Sequence, residues 1–120
     1  MEAIGYARVS TDKQADRGVS LDAQTEKIRA MALVHNATLS DIIVEPGESA
    51  KSLNRPGMQR LLELVDSGRV QTVIVAKLDR LTRSVKDLCT LLERFERRGV
   101  ALISVAESLD TRSGNAHAMP

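Results

Sequence analysis

Two kinds of apolar segment alternate along this chain, and the alternation limits its fold more than any other feature. Segments rich in β-branched residues lie at 3–9, 38–44, 72–76 and 100–105, and amphipathic helical segments separate them. The order β-α-β-α-β-α-β favours a mostly parallel sheet with helices on both faces and right-handed crossovers. The third segment, TVIVA, is an uninterrupted run typical of a strand buried on both faces. We therefore predict an α/β fold with a mostly parallel sheet of four to five strands.

Capping residues predict where the helices begin. Ser20 is a favourable N-cap for a helix from Leu21 to His35. Pro56 suits the first position of a second helix, which makes Arg55 its N-cap. Ser84 is expected to cap a third helix. The segment from Glu107 to Pro120 shows no strong periodicity.

Length and composition exclude several classes of protein. With 120 residues, 42% hydrophobic and 28% charged, the chain suits one globular domain. A net charge of +1 and 2% aromatic residues argue against a free-standing nucleic-acid binder with base-stacking platforms. The sequence contains neither an export signal nor an apolar run near the roughly 18 residues of a membrane span, so we expect a cytoplasmic protein with no membrane partner. Cys89 is the only cysteine and the two histidines lack ligand spacing, so no disulfide, metal site or cofactor is expected.

Polar side chains collect where the predicted strands end. Ligands of open α/β sheets bind outside the carboxyl ends of the strands, and parallel strands end at one edge. Glu45 begins a polar loop predicted to run to Asn54, and a basic run that includes Lys77 follows the third strand. The candidates at this edge are Arg8, Ser10, Glu45, Asp79, Arg80 and Arg83. Arginine is permanently charged and binds phosphate through a bidentate fork, so the cluster suits a phosphoryl transition state.

Two residues contradict local preferences. Arg55 places a cation at a helix N-terminus, which costs a few tenths to about 1 kcal/mol unless an anion shares the site. A phosphate would supply that anion, and the alternative is a guanidinium exposed to water. Gln24 lies on the helix face that should be buried, where an amide needs hydrogen-bond partners, and the alternative is a partly exposed boundary position. Ser10 has no neighbouring histidine and no G-x-S-x-G motif, so a serine hydrolase triad is not supported.

Four motifs in unbroken order resemble the catalytic domain of the serine recombinases, the family of resolvases, invertases and their larger relatives. The motifs are GYARVSTDKQ, SLDAQ, NRPGMQRLL and AKLDRLTRS. The resemblance implies a resolvase-like three-layer fold and an enzyme that cleaves and rejoins DNA through a covalent 5′-phosphoserine. A covalent intermediate of this kind conserves the ester bond, so rejoining needs no ATP.

The resemblance also implies a role for individual residues. Ser10 matches the nucleophile that attacks a DNA phosphodiester, and Asp79 matches an acid that positions arginines or handles protons. The residues that match active-site arginines are Arg8, Arg55, Arg80 and Arg83. The residues expected to support the site are Gln14, Gln24, Glu45, Ser49 and Lys77, with Lys51 a weaker candidate beside Ser49.

Partners and domain organisation follow from the same resemblance. It implies double-stranded DNA at a specific recombination site, a homodimer or tetramer in the full-length protein, and association with the nucleoid. We expect residues 1–110 to be the catalytic domain and residues 111–120 to begin a dimerisation helix, with a separate DNA-binding domain beyond it. This fragment alone is then expected to be inactive. Two alternatives remain open at this point: an inactive subunit-docking or regulatory module, and a flavodoxin-like domain for a small phosphorylated ligand.

Overall fold

The computed structural model describes residues 1–9, 20–46 and 53–111. These ranges contain five strands and four helices. In chain order they are β1 (Glu2–Val9), α1 (Leu21–Val34), β2 (Thr38–Pro46), α2 (Pro56–Asp66), β3 (Thr72–Val75), α3 (Leu78–Leu81), α4 (Val85–Arg97), β4 (Ala101–Ser104) and β5 (Leu109–Asp110). No helix in these ranges is both long enough and apolar enough to cross a bilayer.

The strands form one sheet in the order β2-β1-β3-β4-β5. The first four are parallel, and β5 pairs antiparallel with β4. The prediction of a mostly parallel sheet is therefore confirmed. Arg8 of β1 pairs with Glu45 of β2, while Tyr6 pairs with Val75 at the end of β3. This register brings the carboxyl ends of the three strands to the same edge.

Helices cover both faces of the sheet, as predicted. Ile28 and Ala32 of α1 pack on one face against Ile74 and Ile103. The larger apolar cluster lies on the opposite face, where α2 and α4 pack against alternate residues of the strands. Its members include Tyr6, Met58, Leu61, Val65, Val73, Val75, Leu91, Phe95 and Leu102. Each large aliphatic or aromatic side chain buried there contributes about 1.5 to 3 kcal/mol, so the two clusters fix the three-layer arrangement.

The predicted caps also form. Ser20 Oγ accepts a hydrogen bond of 3.1 Å from the amide of Ala23, and Ser84 Oγ accepts one of 3.1 Å from the amide of Asp87. Each bond satisfies one of the amides that a helix leaves without an internal partner in its first turn. The starts of α1 and α4 are therefore fixed by single serine side chains.

The structure departs from the sequence-based elements in three places. The prediction that Glu45 begins a loop is wrong, because the ladder between β1 and β2 continues to Pro46 and includes Glu45. The helix α3 was not predicted, since a single turn is too short to show a period. The strand β5 was not predicted either, because two residues held by pairing to β4 leave no pattern in the sequence.

Candidate active site

Three arginines from different elements converge at the carboxyl edge of the sheet. Arg8 is the penultimate residue of β1 and is 3% exposed, Arg80 lies on α3 and is 7% exposed, and the Arg55 side chain before α2 is 10% exposed. Arg8 Nη2 donates to the carbonyl oxygen of Asp79 at 3.1 Å, and Arg80 Nη1 donates to the carbonyl oxygen of Arg8 at 3.2 Å. Arg55 Nη2 donates to the carbonyl oxygen of Leu81 at 2.7 Å. The three guanidinium groups are thus held by main-chain carbonyls.

Positive charge dominates the surroundings of Arg8. Burial lowers the pKa of its guanidinium, and the charges of Arg80, Arg83 and Arg55 lower it further, whereas Asp79 opposes the shift. Arg83 is exposed to solvent, so it adds charge at the rim of the cluster. Arg8 Nε is buried and has no hydrogen-bond partner among the described residues. The cluster therefore combines excess positive charge with a buried donor that is open to a further acceptor.

Asp79 contacts the cluster from its solvent side. Its Oδ1 accepts from Arg80 Nε at 3.2 Å, and its Oδ2 lies 3.8 Å from Lys77 Nζ. The Asp79 side chain is 32% exposed and that of Lys77 is 48% exposed, so solvent weakens both interactions. Asp79 consequently orients the guanidinium group of Arg80, and its partly solvated carboxylate offsets only part of the positive charge of the three arginines.

Gln24 contacts the cluster from α1. Its side chain is 0% exposed, so the prediction of a buried amide is confirmed and the boundary alternative is wrong. Gln24 Nε2 donates to the carbonyl oxygen of Arg8 at 3.2 Å, and Gln24 Oε1 accepts from the Arg8 amide at 3.3 Å. Both polar groups of the Arg8 main chain therefore contact one side chain, which fixes the end of β1 relative to α1.

The Glu45 carboxylate explains why a cation, Arg55, can lie at the N-terminus of α2. The residue is 1% exposed, and its carboxylate accepts hydrogen bonds from the amides of Gly57 and Met58, each at 2.9 Å. Arg55 Nε lies 3.9 Å from Glu45 Oε1. The anion at this helix N-terminus is therefore the protein's own carboxylate. Of the two sequence-based alternatives, the water-exposed arginine is wrong, and no phosphate is needed to balance Arg55.

Two residues that hold Glu45, Tyr6 and Gly57, were not among the predicted site residues. The Tyr6 hydroxyl donates to Glu45 Oε1 at 2.6 Å, and Arg55 Cζ lies 6.0 Å from the centroid of the Tyr6 ring. Burial and the bond to Glu45 raise the pKa of the Tyr6 phenol, so it stays protonated as a donor. At Gly57, a Cβ atom would lie 2.7 Å from Glu45 Oε1, so the missing side chain admits the carboxylate. The available signal for Tyr6 was its spacing of two from Arg8, which puts both on one face of β1.

Several predicted site residues lie outside the part of the chain that the structure describes. They are Ser10, Gln14, Ser49 and Lys51. Within the described ranges, no group of three or more His, Cys, Asp or Glu side chains is placed to hold a metal ion. The described half of the site is accordingly an arginine cluster with Asp79, Gln24 and Glu45 around it.

Permanent cations at the carboxyl edge of a parallel sheet suit the binding of phosphoryl groups at that edge. A family model described as "Resolvase, N terminal domain" matches residues 3–119. The chain therefore belongs to the resolvase family of serine recombinases and has the fold of their catalytic domain. The resemblance noted from the four motifs is confirmed.

Relatives and solved structures agree with this assignment. The chain is 39% identical over 113 residues to "DNA-invertase hin" of Salmonella typhimurium, covering 94% of this chain and 52% of the relative. It is 36% identical over 106 residues to "Transposon Tn552 resolvase" of Staphylococcus aureus, covering 88% of this chain and 47% of the relative. The structure of the N-terminal catalytic domain of TP901-1 integrase matches with a TM-score of 0.88 and 37% identity, covering 98% of this chain and 88% of that one. The chain thus spans about half the length of these curated relatives.

Proposed function

We propose that this chain performs the cleavage and rejoining chemistry of a site-specific DNA recombinase, with Ser10 as the nucleophile. Ser10 Oγ forms a bond to a backbone phosphorus, and the bond from that phosphorus to the 3′ oxygen breaks. The Ser10 hydroxyl gives up its proton and the 3′ oxygen leaves with one as a hydroxyl, so the protons balance and the 5′ phosphate remains joined to the serine. One phosphodiester replaces another, so the reverse step reseals DNA without an external energy source.

The observation that supports this proposal best is the way the arginines are held. A main-chain carbonyl satisfies a guanidinium hydrogen bond but carries no net charge. Arg80 also contacts the Asp79 carboxylate and Arg55 lies near that of Glu45. Arg8 has no carboxylate contact among the described residues, so its positive charge is the one left available to a substrate. Phosphoryl transfer spreads negative charge over the non-bridging oxygens in the transition state. Fixed donors aimed at developing charge contribute about 3 kcal/mol each in comparable sites. Arg8, Arg55 and Arg80 can together account for a large share of the rate enhancement.

The other candidate residues take subsidiary roles in this proposal. Asp79 orients Arg80, Gln24 fixes the Arg8 main chain, and Glu45 sets the position of Arg55. Arg83 adds charge at the solvent rim, where incoming DNA first meets the protein. The residues assigned to support around the substrate are Gln14, Ser49 and Lys77.

Partners and boundaries belong to the same proposal. Relatives of this chain are a DNA invertase and a transposon resolvase, which supports double-stranded DNA at a specific site as the substrate. We assign residues 1–110 to the catalytic domain and residues 111–120 to the start of a dimerisation helix. The active form is a dimer or tetramer that acts at the nucleoid in the cytoplasm.

The test is a covalent-adduct assay on the protein that contains this chain, incubated with its recombination site and resolved on a denaturing gel. Ser10→Ala should abolish the adduct, because no other group is assigned as the nucleophile. Arg80→Lys should slow cleavage by about 100-fold or more, since an ammonium cannot reproduce the buried fork. Arg69→Lys, at an exposed position, is the matched control and should cleave normally. Undiminished adduct with Ser10→Ala would refute the nucleophile, and near-normal cleavage by Arg80→Lys would refute the arginine mechanism.

A further inference from the structure

The single turn α3 connects all three buried arginines. The Asp79 carbonyl accepts from Arg8, and the Leu81 carbonyl accepts from Arg55. The third arginine, Arg80, is itself part of α3 and bonds back to Arg8. A small rotation or shift of α3 would therefore displace every guanidinium of the cluster at once.

This turn cannot hold its own position. It has four residues, and Lys77 before it makes no side-chain capping bond within the described structure. Its internal main-chain bonds are short-range, from the amide of Arg80 to Lys77 at 3.0 Å and from that of Thr82 to Leu78 at 3.1 Å. One isolated helical turn is unstable in water because nucleation costs more than its few bonds return. Contacts from outside α3 must therefore hold it: Leu81 is buried in the larger apolar cluster and fixes its end, and its start needs a contact of its own.

The side chain that contacts the start of α3 is Glu107, from the turn between β4 and β5. The amide of Leu78, the first residue of α3, lies 3.3 Å from Glu107 Oε1 and 3.4 Å from Oε2. A carboxylate at this place accepts a hydrogen bond from an amide that has no partner within the helix. Its negative charge also interacts favourably with the partial positive charge at the start of the helix. Glu107 has no place in the four motifs, and its carboxylate bonds neither Arg8 nor Arg80 in the hydrogen bonds described above.

Glu107 is exposed to solvent, but the main chain before it and one neighbouring hydroxyl fix its position. The amides of Val105 and Ala106 donate to Val75 and Ala76 at 3.0 and 2.9 Å, which continues the ladder beyond β3 and β4. The hydroxyl of Ser104, which is 1% exposed, donates to Glu107 Oε1. The carboxylate is therefore anchored to the end of β4, which pairs with the end of β3, from which the chain enters α3.

We propose that Glu107 is a positioning residue for the arginine cluster, because its carboxylate fixes the first turn of α3 and, through α3, the aim of Arg8, Arg55 and Arg80. The catalytic part of this inference rests on the function proposed above. The structural part, that Glu107 holds α3, stands on the contacts alone. The two parts are tested by separate measurements.

The first measurement is amide hydrogen exchange in the 120-residue chain. Loss of a helix-capping side chain typically reduces local stability enough for about a 10-fold change in an equilibrium constant. Glu107→Ala should accelerate exchange of the Arg80 and Thr82 amides about 10-fold, with the amides of β3 unchanged. Glu107→Gln, which keeps an acceptor oxygen, should lie in between, and Glu63→Gln, an exposed carboxylate on α2, should match the wild type. Unchanged exchange in α3, or equal acceleration in β3, would overturn the proposal.

The second measurement is cleavage by the protein that contains this chain on its recombination site. Glu107→Ala should lower the cleavage rate at saturating DNA about 10-fold, with the Kd for DNA within twofold of the wild type. Glu107→Gln should recover part of the rate. A defect confined to DNA affinity, or none, would overturn the positioning role. If the wild type forms no adduct at Ser10, the proposed function fails, and the exchange measurement still decides whether Glu107 holds α3.

Discussion

Gly57→Ala is the substitution whose effect the structure fixes most sharply. Gly57 is the second residue of α2, and its missing side chain leaves room for the Glu45 carboxylate. A Cβ atom there would lie 2.7 Å from Oε1, 2.9 Å from Cδ and 3.1 Å from Oε2. The first two separations are shorter than real Cβ contacts and the third is tight, so either the carboxylate or the helix must move.

Two opposing effects set the magnitude. Alanine is favoured over glycine in helices by at most about 1 kcal/mol, which alone would stabilise the variant. The carboxylate cannot retreat cheaply, because it holds bonds of 2.6 Å to Tyr6 and 2.9 Å to Met58. Forcing extra volume into such a packed site costs about 1 to 3 kcal/mol. The middle of the range for the clash, about 2 kcal/mol, less the full propensity gain leaves an expected net loss of about 1 kcal/mol in the free energy of unfolding.

Urea denaturation measures this directly, and a double-mutant cycle separates the two effects. Gly57→Ala should lower the midpoint with the m-value unchanged. In a Glu45→Ala background the obstacle is gone, so the same change should be neutral or stabilising by up to about 1 kcal/mol. The difference between the two backgrounds is the coupling energy of the pair. A Gly57→Ala variant as stable as the wild type with Glu45 present would refute the reasoning.

Two further perturbations test other contacts. Gln24→Leu removes both side-chain bonds to the buried Arg8 main chain and should lower the free energy of unfolding by about 1 to 3 kcal/mol in urea titration. An unchanged free energy of unfolding would contradict the role of Gln24 in fixing the Arg8 main chain. Asp66 accepts two bonds from Arg94, which lower the pKa of the Asp66 carboxyl. Because folding lowers this pKa, the ion pair stabilises the protein fully at pH values above the pKa of the unfolded chain, which is about 4. The stabilisation is lost as the pH falls through the lower pKa of the folded protein. Because both side chains are 31% or more exposed, Asp66→Asn should cost less than about 1 kcal/mol at pH 7, with the difference from wild type closing in acid; a difference that persists at the lowest pH would contradict this account.

The regular elements could be predicted because their signals are local. The β-branched run at Thr72–Val75 and the serine caps each act within a few residues, so the sequence alone was enough to place β3, α1 and α4. Elements that depend on tertiary contact could not be placed in this way. The single turn α3 and the two-residue β5 lack a period of their own and exist because neighbouring chain segments pair with them.

In the candidate site, too, residues placed by local sequence could be predicted and residues brought together by packing could not. Parallel strands end at one edge, so the positions of Arg8, Arg80 and Glu45 in the sequence are enough to group them there. The partners of Glu45 could not be predicted from the sequence, because Tyr6 lies 39 positions before it and Gly57 lies 12 positions after it. Their meeting depends on the pairing of β1 with β2 and on the entry angle of α2. Sequence pattern predicts which edge carries the chemistry, but the side chains that organise that edge become visible only in the packed structure.

The carbonyl acceptors of the arginine cluster affect how these contacts can be detected in families of sequences. A bond to a main-chain oxygen is the same whichever side chain its residue carries, so Asp79 and Leu81 can change without altering the acceptor. Covariation between alignment columns will therefore miss these contacts, and side-chain scanning at the acceptor positions will report only other losses. Replacing the peptide bond that follows Leu81 by an ester weakens the Leu81 carbonyl as an acceptor while keeping every side chain. It also removes the Thr82 amide that donates to Leu78 at 3.1 Å, so the same ester in an Arg55→Ala background is its control. Backbone substitution is thus the approach suited to measuring what these bonds contribute to the orientation of Arg55.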